Sequence, residues 1–427
     1  MGETDRECRK AFYRALNLHQ GAQKLTEQEE YDRYYVPIYD QPDGPAGPDL
    51  VREMATAIDF TTGGSVQLLS GYRGAGKTTE LLRLERELDR NLYVPVYCDV
   101  EDYFNTELPL EAGAFFIGLA AGFVDNCEAA EVPRESLRER MWGLLSRLDL
   151  SLEPNISTEA GPVSLGVRMA LRDDESFQSR VAHALKSNRL TFRRAMHSFF
   201  EAMVKDMPEG RIPVFIVDSI DHFRGRTANF TRVQESVEAL FSEYASELAL
   251  PRMHVIYTVP IYVKPIGWDS QIWPVLNVKV RERDGSDCKQ GIDLLRDVLA
   301  KRAPGGDLER LLGREADRII RSSGGLFREL FRLVSSLLLK EGPLPVRPEE
   351  IDEVERRLRS QLAVALAQEQ WEILRNVKRT QQLDYSHAQA SDAWLLQALG
   401  HVLCYRNGNV DWYGVHPLLD RLLDEPD

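Results

Sequence analysis

The chain has 427 residues, with 53 Lys+Arg against 67 Asp+Glu, a formal charge of −14 and a pI of about 5.2. At roughly 150 residues per domain the length supports two to three domains with buried cores, and 43% hydrophobic with 28% charged residues excludes wholesale disorder. The acidic balance excludes a general adhesive for nucleic acid or anionic membrane, while leaving room for local basic surfaces.

Residues 1–49 carry an amphipathic stretch around Phe12, Leu16 and Leu18, then the tyrosines Tyr31, Tyr34, Tyr35 and Tyr39, and close on the turn-forming run 41–48. A short helix over Leu50–Ile58 precedes Val66–Ser70, a buried strand, then a glycine-rich loop and the helix pattern Thr78–Leu88. Leu92–Val100 is a second strand, and residues 109–130 form a buried helix. Leu148, Leu150 and Leu152 alternate with other residues, as do Val163, Leu165, Val167, Met169 and Leu171, which predicts a β-hairpin inserted at about 146–172. One long helix over roughly 176–206 leads into the strand Ile212–Val217, ending in Asp218. A helix at about 231–248, a strand at His254–Val259 and another at Ile272–Val280 follow. Strands alternating with helices indicate a parallel sheet wrapped in helices.

After about residue 285 the strands stop. Helices fit 288–302, 306–322, 326–341 and 348–378, the last opened by Pro348. A short helix around Trp394–Leu399 and strands 401–405 and 410–415 flank Asn407-Gly408, a strong hairpin signal. Helices ending in such a hairpin suggest a winged helix. The expected domains are 1–49, an α/β domain over 50–284, helices over 285–345, and a long helix with a winged-helix module over 346–427.

The five cysteines, Cys8, Cys98, Cys127, Cys288 and Cys404, are scattered and form no C-x-x-C pair, so they read as reduced thiols. The N-terminus, MGETDRECRK, lacks the apolar core of a signal peptide, and the apolar run Ala112 to Val124 is too short to span a bilayer. A cytoplasmic protein with no membrane contact is expected.

Gly71-Tyr72-Arg73-Gly74-Ala75-Gly76-Lys77-Thr78, with Thr79 after it, matches G-x-x-x-x-G-K-[ST] in full and lies between a predicted strand and helix. Glycines let backbone N–H groups turn inward around phosphate oxygens. Lys77 reaches the β- and γ-phosphates, the Thr78 hydroxyl ligates Mg²⁺, and the helix adds its positive N-terminal dipole. Such a loop needs an acidic partner for the Mg²⁺ shell, and Val214–Asp218 supplies one at the end of an apolar strand. In many hydrolysing ATPases of this kind a Glu follows that Asp and activates water; here the position is Ser219. The next carboxylate, Asp221, is either a substitute base or a structural acid. Thr258, at the end of its strand, is a candidate to contact the γ-phosphate or orient water. In Ser322-Ser-Gly-Gly-Leu-Phe-Arg328, paired glycines precede an arginine in a helix's first turn, where a guanidinium can reach phosphates.

Together these pieces resemble the AAA+ ATPases, in the branch containing origin-recognition-like and STAND-type signalling ATPases, over about residues 30–425. The resemblance makes GYRGAGKT the Walker A motif, VFIVDSID Walker B, Thr258 sensor 1 and GGLFREL the sensor 2 motif of a helical lid over 285–345. It implies a P-loop NTPase sheet flanked by helices, followed by an α-helical lid and a winged helix. It also implies ATP and Mg²⁺ as cofactors and ATP-controlled homo-oligomers in which an arginine completes the neighbour's site. Arg252 matches the usual place of that arginine; Arg224 and Arg226 compete.

Ser219 points to slow hydrolysis and a switch. The stretch from Tyr385 to Tyr405 contains no Lys or Arg, whereas groove-entering helices bring basic residues. Arg375, Lys378, Arg379 and Arg406 make a thin footprint, and Arg189, Arg193 and Arg194 are the best basic patch elsewhere. The leading expectation is therefore a regulatory ATPase that licenses a protein partner, a type that resembles components of bacterial antiphage defence. The alternative is a DNA-associated ATPase, an initiator-like loader or transposition regulator. A small-molecule kinase shares the loop but not the helical C-terminus.

Overall fold

Runs such as Val66-Gln-Leu-Leu-Ser-Gly71 and Ile212-Pro-Val-Phe-Ile-Val-Asp218 are too short and too apolar for surface helices, and they become the strands of a central sheet. A computed structural model describes residues 3–18, 25, 27–39, 44–127, 134–152, 163–208, 210–226, 228–263, 271–364, 366–408 and 410–423. The sheet holds β1 (Val66–Gly71), β2 (Tyr93–Asp99), β3 (Ile212–Asp218), β4 (His254–Pro260) and β5 (Gln271–Val275) in the order β2-β3-β4-β1-β5. β2 with β3, β3 with β4, and β4 with β1 pair in parallel. A second, antiparallel pair joins β6 (Val402–Asn407) and β7 (Val410–Val415). The architecture is thus α/β, with the large sheet flanked by helices. Asn407 pairs with Val410, and Gly408, at φ 56, lies in the turn between the two strands.

By contact the chain separates into two compact units, each discontinuous in sequence. One comprises Val51–Gly71 and Arg83–Pro274; the other comprises Met1–Leu50, Tyr72–Leu82 and Val275–Asp427. In the first, the helix Ala112–Asn126 is apolar on every side and buried from Gly113 to Val124. Gly118 is required there, since a Cβ would lie 2.3 Å from the Phe104 ring. In the second, the helix Glu3–Leu16 is an integral part: Phe12 and Leu16 are buried, and the buried Arg9 guanidinium donates to the carbonyls of Leu337, Gly342 and Pro343. There the buried Glu355 carboxylate accepts from Arg318 at 2.7 Å, Arg421 at 2.9 Å and Ser322 at 2.6 Å.

Several expected elements differ. The hairpin expected at about 146–172 is replaced by helices on both sides of residues 153–162, which lie outside the described residues: Arg134–Arg147 and Val163–Asp173 are helical. The alternating set contains a helical one, because Val163, Val167 and Leu171 are four apart; Val167 and Leu171 are buried while Leu165 and Met169 are exposed. Leu148 and Leu150 belong to a helix stop, in which Asp149 takes φ 54 and the Leu150 N–H donates to the Leu145 carbonyl at 2.9 Å.

The long helix expected over roughly 176–206 is two, Glu175–Ser187 and Arg189–Lys205, because the Asn188 side chain accepts the Thr191 N–H at 3.0 Å and caps the second. Likewise 306–322 divides at Gly313, φ 58, into Leu308–Leu312 and Ala316–Ser322. The long helix expected over 348–378 ends at Ala363, where Val364 turns to ψ 130, and a new one begins at Gln368.

Candidate phosphate-binding site

β1 ends at Gly71 and the next helix, Lys77–Glu87, begins at the motif lysine, so residues 72–76 form the turn between them. Gly74 and Gly76 adopt φ 83 and φ 103, the left-handed region closed to most side chains. A Cβ on Gly74 would lie 2.5 Å from the Cβ of Arg328. The Tyr72 carbonyl accepts the Ala75 N–H at 3.1 Å and the Lys77 ammonium at 2.8 Å. Lys77 is only 5% exposed, so its charge is desolvated and turned in on its own loop. A phosphate oxygen is a stronger, charged acceptor for that ammonium than a carbonyl.

Arg328 meets the phosphate loop through its backbone. It lies in the first turn of the helix Phe327–Leu338, and its backbone N–H donates to the Gly74 carbonyl at 3.3 Å. The preceding Gly324 and Gly325 adopt φ 62 and φ 78, and a Cβ on Gly325 would fall 1.7 Å from the Val278 carbonyl oxygen. The terminal hairpin touches both loops. The Tyr72 hydroxyl donates to the Val402 carbonyl at 3.0 Å, and the Tyr405 hydroxyl to the Gly324 carbonyl at 2.8 Å. Burial pushes the Tyr72 hydroxyl well above its ordinary pKa, with Cys404 adding to it, so it remains a donor. The N-terminal segment joins as well, since the Tyr35 hydroxyl donates to Glu80 at 3.3 Å. Neither the role of Tyr72 nor that of the hairpin had a sequence signal, because each joins residues more than eighty positions apart.

In the sheet unit, β3 carries Asp218 at its C-terminal end, 1% exposed. Its Oδ1 accepts the Ser219 N–H at 2.7 Å, and its Oδ2 accepts the Tyr97 hydroxyl at 2.7 Å. Ser219 adopts φ 71, ψ 13, an uncommon conformation for a non-glycine residue that turns its N–H back on the carboxylate. Thr258, on the neighbouring β4, is fully buried and its Oγ1 accepts the Ile220 N–H at 3.1 Å. The sheet therefore brings Asp218 and Thr258 to the C-terminal edge from which β1 exits at Gly71. Asp221 lies in the 3₁₀ turn Ile220–His222, 7% exposed, near Tyr262; burial, with the Asp221 charge second, raises that hydroxyl's pKa. Tyr97 is the residue that sequence reasoning missed in this unit: an aromatic residue in a strand signals packing, and the contact to Asp218 depends on the β2–β3 register.

Arg252 lies at the opposite, N-terminal end of β4, exposed and at φ 59, and is not brought to Asp218 or Thr258 within its own unit. Arg226 is bound to Glu107, with its Nε 2.8 Å from the carboxylate. Among the basic residues considered for nucleic acid, Arg189 is held by Glu247 at 2.6 and 2.8 Å, Arg406 by Asp411 at 2.6 and 3.0 Å, and Lys378 by Asp420 at 3.0 Å. Among the described residues no helix is long and apolar enough to cross a membrane.

No family model matches this chain, and no curated protein does. Solved structures do give matches. The structure of the Aeropyrum pernix ORC2 protein (ADPNP-ADP complexes) is similar over 88% of this chain and 92% of its own, at 11% identity and a TM-score of 0.37.

Proposed function

We propose that this chain is a Mg²⁺-dependent, slowly hydrolysing regulatory ATPase of the AAA+ type, whose nucleotide state controls self-assembly and licenses a protein partner. The observation that carries the reading is the complete loop Gly71–Thr78, with left-handed Gly74 and Gly76 and a buried Lys77 whose ammonium donates to the Tyr72 carbonyl of the same loop at 2.8 Å. Backbone N–H groups of Gly74, Ala75 and Gly76 would cradle the β-phosphate with Gly71, Tyr72, Arg73 and Thr79 shaping the loop, and Lys77 would pair the β- and γ-oxygens. On the motif reading the Thr78 hydroxyl and the Asp218 carboxylate would be the protein's oxygen donors to Mg²⁺, with the rest from nucleotide and water, the donor chemistry this ion favours. When bound it neutralises developing charge on the phosphates. Arg328 would place a guanidinium at the γ-phosphate and Thr258 would orient water. Burial of Ser219 where an acid would activate water supports slow turnover, with Asp221 as the substitute base.

The switch reading is supported by the two tyrosine hydrogen bonds that join the terminal hairpin to the phosphate loop and to the loop before Arg328. A nucleotide that draws Lys77 off the Tyr72 carbonyl acts on the residue that holds the hairpin. On this reading residues 285–345 are a lid, the C-terminal segment is a winged helix that meets protein, and Arg252 acts on a neighbouring copy. A role in antiphage defence belongs to the same proposal and rests on resemblance alone.

The test is molar mass by light scattering with ATP and Mg²⁺, with ADP, and without nucleotide, together with phosphate release with and without DNA. Mass that rises only with ATP, with slow hydrolysis indifferent to DNA, is the expected result. Mass that ignores nucleotide overturns the assembly reading, and DNA-stimulated hydrolysis moves the function to the DNA-associated alternative.

A further inference from the structure

The buried end of β3 holds a carboxylate fixed from two sides. Strands β2 and β3 pair so that Asp99 lies opposite Asp218 and Tyr97 opposite Ile216. The Tyr97 side chain reaches along the sheet edge to donate its hydroxyl to Asp218 Oδ2 at 2.7 Å. The left-handed turn at Ser219 presents its N–H to Oδ1 at the same distance. A carboxylate that accepts hydrogen bonds on both oxygens cannot rotate without breaking one, and a residue 1% exposed has little water to replace what it loses.

We infer that Tyr97 is the positioning residue for the metal-holding carboxylate: its hydroxyl locks the plane of Asp218 and with it the direction in which that carboxylate would meet Mg²⁺. This rests on the ATPase reading above and adds to it a residue outside every phosphate-binding motif. A fixed ligand set is what a small cation with strict octahedral demands requires, since a carboxylate free to turn must be ordered at the moment of binding. Tyr97 touches neither phosphate nor substrate on this account; it acts through Asp218 alone.

The experiment is a Mg²⁺ titration of fluorescent ATP-analogue binding, on wild type, Tyr97→Phe, Asp218→Asn and the double variant. Tyr97→Phe keeps the ring and removes one hydrogen bond to a charged group, so the Mg²⁺ midpoint should rise roughly tenfold. Nucleotide binding without Mg²⁺ and the thermal midpoint should stay at the wild-type value. In the Asp218→Asn background the same change should have no further effect, because the two residues act as one unit.

An unchanged or lower Mg²⁺ midpoint overturns the inference. So does an equal loss of Mg²⁺-free binding, which marks a merely structural tyrosine, or additivity in the double variant. Should Tyr97→Phe fail to fold, 3-fluorotyrosine at position 97 reads the same contact in the wild-type sequence. Its ¹⁹F resonance should move when Mg²⁺ is added to the nucleotide complex, and a stationary signal overturns the assignment. Wild-type protein that binds no nucleotide defeats the ATPase reading and this inference together, whereas normal wild-type behaviour with an unaffected variant defeats Tyr97 alone.

Discussion

His401 and His416 are buried beside the terminal hairpin, 5% and 1% exposed, and the His416 N–H donates to the His401 carbonyl at 2.8 Å. Burial lowers the pKa of His401 to about 4; burial, then the charges of His401, Arg332 and Arg281, lowers that of His416 to about 3. Both are neutral bases in the folded protein, while in the unfolded chain they take up protons below about pH 6.5. Stability is therefore full above that value and is lost as pH falls toward 4, at about 1.4 kcal/mol per pH unit for each histidine. Denaturant melts at pH 7.5 and 5 should show the loss, and His416→Asn should flatten it; parallel slopes in the two proteins would contradict the assignment. Lys77→Ala belongs to the same scale. With the motif ammonium removed, ATP affinity measured by calorimetry should fall at least tenfold, the worth of a charge-assisted bond, with the thermal midpoint retained.

Elements in this chain were legible where local chemistry and tertiary context agree. The strands at 66–71, 212–218 and 254–260 and the hairpin at 402–415 follow from apolar runs bounded by turn residues. The segment Val163–Asp173 was misread because a period of two contains a period of four, and only the neighbour that buries Val167 and Leu171 decides between them. The break after Ala363 has no glycine or proline to announce it. What orders the helices there is long-range: Glu355 binds Arg318, Ser322 and Arg421 from two other elements. Glu355→Ala should cost about 2 kcal/mol in urea unfolding, less than a wholly buried pair because Arg318 and Arg421 remain partly solvated. A change under a few tenths would show that packing alone holds these helices.

At the scale of the whole molecule, a charge of −14 is distributed so that prominent basic side chains are already bound to carboxylates, among them Arg189, Arg226, Lys378 and Arg406. Neutralised arginines release no counterions on meeting phosphate, so duplex DNA should be retained weakly even at low salt, with a shallow dependence of log K on log salt. Fluorescence anisotropy between 50 mM and 200 mM salt checks this; a fall of a thousandfold or more would favour the DNA-associated function. By contact, the phosphate loop and the start of its helix, Tyr72–Leu82, group with Met1–Leu50 and Val275–Asp427.

The sequence by itself determined the loop Gly71–Thr78, the apolar strand that ends in Asp218, the α/β alternation and the glycines before Arg328. Each of these is written in contiguous residues, where spacing alone dictates the backbone. Only the tertiary structure decided what holds those groups: Tyr97 on Asp218, the backbone of Arg328 on Gly74, and the hairpin on Tyr72. These contacts join positions between 81 and 330 residues apart where side chains meet, and 254 apart for Gly74 and Arg328. A hydrogen bond of that reach leaves no period or pattern in the chain, because its partners are chosen by sheet register and helix packing that exist only once the core has formed.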